Sequence, residues 1–218
     1  MPRAKQRTPA LRHRVLHAAV SLLDDGGIAG FTTRKVAEGA STSIPAVYEL
    51  FGDRAGLVRE MFFEGFRQLL ERFSALADSD DPRADLVRVL EVFRAFVRQN
   101  PALAQVMFSR PFADFDPGPQ EMRAGNAVRE FIVGHVRRCV DAGLLAGDPT
   151  DIAHVVLGLA QGLALQESAG WLGTSKASVQ RRWDLAFTAA LDGLAPADHA
   201  ARRKRGAPAK SPPRRSGR

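Results

Sequence analysis

Residues 31–54 read Phe31-Thr-Thr-Arg-Lys-Val-Ala-Glu-Gly-Ala-Ser-Thr-Ser-Ile-Pro-Ala-Val-Tyr-Glu-Leu-Phe-Gly-Asp-Arg54. The pattern predicts two short helices joined by a tight turn. Thr32 or Thr33 can cap the first, since a hydroxyl at a helix start accepts from a backbone N–H two or three residues on. Val36, Ala37 and Ala40 give that helix a small apolar face. Ser41-Thr42-Ser43 then breaks the run, because short hydroxyl side chains compete with the helical backbone and favour turns and caps. Ser43 is the second cap, and Pro45 falls in the first turn, where a missing N–H is tolerated. Val47, Leu50 and Phe51 face inward, and Gly52-Asp53 ends the helix. Two helices of this size on a short turn form a helix-turn-helix, whose second helix can enter the major groove of DNA. The same pair also occurs in folds that never meet DNA.

On either side of this stretch the apolar spacing stays helical. Leu11, Val15, Ala18, Ala19, Leu22 and Leu23 predict a first helix over about 8–23, stopped by Asp24-Asp25-Gly26-Gly27. Beyond Arg54 the same reasoning predicts helices over about 54–77, 83–99, 101–108, 120–142, 150–168 and 175–194. A Pro- and Phe-rich link spans Arg110 to Pro119. No convincing strand is present, so the chain is all-α with about nine helices. The helix over 150–168 is apolar on several sides and must be buried on several sides. It and the last helix form either a dimer face or ordinary monomer core.

The segment from about Val15 to Met61 resembles the N-terminal domain of the TetR family of transcriptional repressors. The matching residues are Leu22-Leu23, Gly26-Gly27, Phe31-Thr32-Thr33, Val36-Ala37, Ala40, Ser43, Val47-Tyr48, Phe51, Arg54 and Leu57-Val58, which keep the family's spacing without a gap. Two positions depart from the pattern: Ser41, where the family usually has Gly, and Leu50, where it often has His. The segments Asn100 to Phe112 and Gly158 to Glu167 resemble, more loosely, the C-terminal domain of one TetR subgroup. The resemblance implies a three-helix DNA-binding domain (1–54, with a basic N-terminal arm) and then an antiparallel helical bundle for ligand binding and dimerisation (55–198); the run of cations beyond it reads as a disordered basic tail (199–218). The resemblance further implies a homodimer through helices eight and nine. The effector pocket it implies lies between helices four, five, seven and eight and suits an apolar or aromatic molecule.

Charge is the informative part of the composition. The net charge of +7 divides into +5 on residues 1–14 and +8 on residues 201–218, so the body between them is −6. Like-charged ends of this kind serve as nucleic-acid arms or as solubilising tails. Residues 31–60 are balanced, with Arg34, Lys35, Arg54 and Arg59 against Glu38, Glu49, Asp53 and Glu60. Electrostatic affinity must then come from how those few cations are aimed and from the arm.

In the second helix of the motif the candidate reading residues are Ile44, Ala46, Tyr48 and Glu49, with Pro45 beside them in the first turn. Ile44 and Ala46 offer apolar contact to a thymine methyl, and Glu49 is either a cytosine N4 acceptor or a solvated charge. Tyr48 either puts its hydroxyl on a phosphate or is buried. Ser43 and the free N–H groups near it can hold a phosphate oxygen. Thr33, Arg34, Lys35 and Arg54 are further phosphate contacts, with Arg34 also able to reach a guanine.

For the ligand side, the aromatic and polar candidates are Phe62, Phe66, Phe93, Phe96, Met107, Phe108, Phe112, Phe115, His135, Gln161 and Trp171. Aromatics at helical spacing are more often core than cavity wall. The lone Cys139 excludes an internal disulfide and a Cys-based zinc site. No nucleophile–base arrangement, metal-binding pair or Gly-rich phosphate loop stands out; His13 and His17, four apart, read as a solvated helix face. Neither a cofactor nor catalysis is expected, although an enzyme or carrier built on a helical bundle is the competing class. The longest apolar run, Ile152 to Leu165, is too short to span a bilayer and contains His154 and Gln161. The reading is a cytoplasmic DNA-binding repressor released by a small apolar or aromatic effector, partnered by double-stranded operator DNA and a second copy of itself; the alternatives are an activator or a regulator without ligand.

Overall fold

Thr8 opens the first helix by accepting a hydrogen bond from the Leu11 N–H at 3.3 Å, with Pro9 in the first turn. The computed structural model describes residues 8–109 and 112–197. Among them are nine helices: α1 (Pro9–Gly30), α2 (Thr33–Gly39), α3 (Ile44–Phe51), α4 (Arg54–Ser74), α5 (Pro82–Gln99), α6 (Pro101–Ser109), α7 (Pro119–Asp141), α8 (Pro149–Ser168) and α9 (Lys176–Gly193). The all-α reading holds, and the boundaries fall within a few residues of the sequence pattern. The proposed basic tail, most of the N-terminal arm, and Arg110 and Pro111 of the link lie outside the described residues.

One boundary differs. The Asp24-Asp25 pair does not end α1, which stays helical to the break at Gly27 (φ 58°, ψ −169°) and adds one turn beyond it. Asp24 has another partner: its Oδ1 accepts from the Ala102 N–H at 2.9 Å, capping the start of α6. An acid at a helix N-terminus meets unpaired N–H groups and the positive end of the helix dipole. Read from sequence, that carboxylate looks like a local stop signal; its use is to bind the helix bundle.

Short polar residues start most of the other helices. Thr32 accepts from Lys35 N–H, Ser43 from Ala46 N–H, Asp53 from Gly56 N–H (2.7 Å), Asp81 from Ala84 N–H and Asp148 from Thr150 and Asp151 N–H. Each supplies an acceptor to backbone donors that have no partner within the helix. One continuous apolar core runs from Leu11 on α1 to Leu191 on α9, with Phe73, Phe93 and Phe96 among its fully enclosed side chains. The small N-terminal unit leans on it, α1 packing against α4 and α6.

Helix α8 buries Ile152, Ala153, Val156, Ala160 and Ala164 in this chain, but not its whole apolar surface. Val155 and Leu165 on α8 and Leu185 on α9 stand 52%, 68% and 69% exposed. Cys139 is fully enclosed in α7; burial pushes its thiol up to about 11, and its Sγ–H donates to the Pro82 carbonyl. No helix among the described residues is long and apolar enough to cross a membrane.

Candidate nucleic-acid interface and apolar cavity

The caps on Thr32 and Ser43 decide which side chains face outward. With α3 started at Ile44, Ala46 and Val47 point into the core and Phe51 closes it, one helical turn on. Ile44, Pro45, Tyr48 and Glu49 are left on the exposed arc, with Tyr48 44% exposed. Ala46 is the exception to the sequence reading: it is buried, 3% exposed, because it lies one residue before Val47 on the inward side. Ser43 is half-buried, its hydroxyl capping Ala46 N–H.

Thr33, Arg34 and Lys35 fill the first turn of α2. Arg34 and Lys35 are exposed, and Arg34 Nε meets Glu38 Oε1 at 3.0 Å in a solvated pair that is easily exchanged. Arg54 behaves differently from the expected phosphate ligand. Its Nη1 lies 3.1 Å from Asp114 Oδ2 and its guanidinium sits 5.0 Å over the Phe112 ring. It ties the start of α4 to the link before α7. Arg12, counted with the basic arm, is likewise used inside the fold: it donates to the Leu50 carbonyl at 2.8 Å and pairs with Glu60 at 2.7 Å. Sequence reading passed over the α1 contribution. His13, Arg14 and His17 share one surface hollow with Lys35 and Ser41, so the outer face of α1 continues that of α2.

A second candidate site is a cleft of about 220 Å³ lined by α4, α5, α6, α7 and α8 and open to solvent on one side. Its apolar wall is Phe62 and Phe66 from α4, Phe93 from α5, and Met107 and Phe108 from α6. These rings pack edge-on or tilted, Phe62 on Phe66 at 4.8 Å, Phe66 on Phe108 at 5.9 Å and Phe93 on Phe108 at 5.7 Å. The opposite wall is α7, presenting Met122, Asn126 and Arg129 on successive turns, with Leu157 and Gln161 of α8 beside them. Glu121, at the edge, is buried. Burial works to raise its carboxyl, but bonds from its own backbone N–H, from Arg59 at 2.6 Å and from the Gly118 N–H outweigh it, so it stays below its ordinary value.

Of the ligand candidates read from sequence, Phe62, Phe66, Phe93, Met107, Phe108 and Gln161 line this cavity and the others do not. Phe96 is wholly enclosed under the Arg72 guanidinium. Phe112 packs on Phe31 at 5.2 Å, and Phe115 on Phe62 at 5.6 Å. His135 is buried, its Nδ1 3.0 Å from the Phe131 carbonyl and its Nε2 3.3 Å from Asp78. Trp171 stands in the turn after α8, 84% exposed. Sequence reading missed Asn126 and Arg129. Their signal was the 122, 126, 129 spacing on α7, which places polar groups on the face that also carries a core residue.

Two family models match this chain: "Bacterial regulatory proteins, tetR family" over residues 15–61, and "Tetracyclin repressor-like, C-terminal domain" over residues 86–202. The chain belongs to the TetR family. Among curated proteins it is 29% identical over 156 residues to the tetracycline repressor protein class A from transposon 1721 of Escherichia coli, and 28% identical over 158 residues to the class C protein. Each match covers 72% of this chain and 66% of the relative, so the chain spans just under two thirds of those proteins. A solved structure of a protein of unknown function from a Rhodococcus species covers 88% of this chain and 100% of its own, at 27% identity and a TM-score of 0.71. A TetR family transcriptional regulator from Thermus thermophilus shares the fold at 19% identity, covering 79% of this chain and 96% of its own, with a TM-score of 0.64. In this TetR chain Ser41, the departure from the usual Gly, takes a φ of 51° at the turn between α2 and α3.

Proposed function

We propose that this TetR-family chain is a DNA-binding transcriptional repressor that binds a palindromic operator as a homodimer and is released by a small apolar or aromatic effector. The observation that carries the reading is the exposed arc of α3. Ile44, Pro45, Tyr48 and Glu49 face solvent together, next to Arg34 and Lys35 of α2. Such an arc suits base edges and phosphates at once. Residues to 54 form the reading unit, and 55–198 hold the effector and the partner subunit. The role is binding rather than catalysis, and a DNA partner places the protein in the cytoplasm.

The dimer uses the exposed faces of α8 and α9. Val155 and Leu165 on α8 and Leu185 on α9 are large apolar side chains that this chain leaves in water, and a second subunit would cover them. Two-fold symmetry then sets half-sites about one DNA turn apart, roughly 34 Å, or a multiple of it. The aromatic cavity between α4 and α8 is the effector site, since such sites combine apolar walls with a few polar groups. An effector that prefers one spacing of the two reading heads shifts the population toward it.

Fluorescence anisotropy tests the reading, using the duplex that flanks the protein's own gene, a scrambled duplex, and Tyr48→Ala. The expected result is tight binding to the first duplex only, lost in the variant. Equal binding to both duplexes would overturn sequence reading by α3. Lower reporter output from that promoter when the protein is present separates repression from activation.

A further inference from the structure

Arg129 stands apart from the other arginines of similar burial. Among the described residues, Arg12, Arg54, Arg83, Arg88, Arg94 and Arg138 are half-buried and each meets a carboxylate, while Arg72 meets Gln99. Arg129 is equally half-buried, yet has no hydrogen bond or ion pair to any described residue. Asn126 and Gln161 also lack one, and all three line the aromatic cavity. The acid at the edge of the cavity does not supply the missing charge, because Glu121 is already held by Arg59 and the Gly118 N–H. The hollow between α5 and α9 shows the contrasting case: its arginines, Arg83 and Arg94, are taken by Asp192 and Glu167.

A guanidinium partly withdrawn from water and left unpaired is costly unless something arrives to pair it. Its fork of donors matches a carboxylate. We infer that the effector is an organic monoanion, a carboxylate on a one- or two-ring apolar body, with Arg129 receiving the anion and Asn126 and Gln161 hydrogen-bonding beside it. The rings take the wall of Phe62, Phe66, Phe93 and Phe108. The available volume, about 220 Å³, suits a small aromatic skeleton; an enclosed apolar cavity of roughly 150 Å³ is enough for benzene. This rests on the cavity being the effector site and adds the charge of what enters it. Arg129 becomes the residue that chooses acids over their neutral isosteres.

Isothermal titration calorimetry on the full chain tests this with 2-naphthoate and its uncharged counterpart, 2-naphthamide, at neutral pH. The expected result is that the acid binds about tenfold tighter or more, a difference of about 1.4 kcal/mol. Arg129→Met should bring the acid down to the affinity of the amide, and Arg129→Lys should keep part of the preference. Gly125→Leu, whose added side chain would grow beside the Phe66 ring, should weaken both compounds. Thermal unfolding of each variant shows that it is folded. Equal affinity for acid and amide in the native chain would overturn the anion assignment and leave the cavity as an effector site. A preference that survives Arg129→Met would overturn the role of that residue. No binding of either compound would overturn the assignment together with the cavity reading, whereas the regulator reading stands or falls separately on the DNA titration.

Discussion

Ser41 is the single non-glycine residue with positive φ among those described, at 51°. In that region the Cβ crowds the carbonyl oxygen, at about 1–2 kcal/mol for an ordinary L-residue. Ser41→Gly should therefore stabilise the turn between α2 and α3. The greater freedom of glycine in the unfolded chain offsets part of this, so the expected net gain is about 0.5 kcal/mol. A lower urea midpoint for the variant would contradict it. Asp85 belongs to the same scale. It is buried and accepts from Ser79 Oγ at 2.6 Å, from Ser79 N–H at 2.8 Å and from Arg138 at 2.8 Å, with Arg88 also paired to it. The Ser79 bonds, with Arg138 and Arg88, outweigh burial and hold its carboxyl far below the usual carboxylate range. A folded value below the unfolded one, about 3.9, means the stabilisation is in place above that pH and fades as pH falls toward the folded value. Asp85→Asn should lower the urea midpoint at neutral pH, and its deficit should shrink in acid. A deficit that stays constant from neutral pH to strong acid would remove Asp85 as the source.

Among the elements, α4 connects the reading unit to the cavity. Its start is capped by Asp53 and tied to Asp114 through Arg54; its middle pairs Arg59 with Glu121 on α7 and Glu60 with Arg12 on α1. Two glycines in it have different surroundings. A Cβ at Gly56 would lie 1.9 Å from the Phe51 carbonyl oxygen, a backbone atom of α3 that cannot move alone. At Gly65 it would lie 2.4 Å from Met107 Sδ, the end of a flexible side chain. Gly56→Ala should cost about 2–3 kcal/mol, the upper part of what overpacking exacts, and Gly65→Ala clearly less. Chemical denaturation of both variants checks the order. Gly65→Ala has a second consequence, because a displaced Met107 enters the cavity and should weaken 2-naphthamide binding while DNA affinity is kept.

At the scale of the whole molecule, the proposed assembly rests on the apolar surface left open on α8 and α9. Leu165 and Leu185 are long side chains that a single subunit leaves in water. Leu165→Arg combined with Leu185→Arg puts like charges where the proposed two-fold contact brings copies together. Light scattering at micromolar concentration should then read the mass of one chain, with the helical circular dichroism unchanged. Binding to the palindromic duplex should fall steeply, since two linked reading heads gain from effective concentration. An unchanged dimer mass would place the contact elsewhere.

The local features of this protein follow from residues near in sequence. Helix caps, the turn at Ser41 to Ser43, the arc of α3 outside Ala46 and the order of the helices depend on side chains hydrogen-bonding or packing a few positions away, and periodicity reports those directly. Ala46 shows where that ends: an alanine fits either side of a helix, so only its neighbours in the core decide. The ion pairs of Arg54 and Arg12, the use of Asp24 on α6, the enclosure of Phe96 and the exposure of Trp171 are set by residues dozens of positions apart or by the route of a loop. Composition says that the chain holds many arginines and phenylalanines. Which arginine remains unpaired beside which phenylalanines is a matter of how α4 to α8 pack, because charge pairing and cavity shape are properties of the assembled helices and not of any one of them.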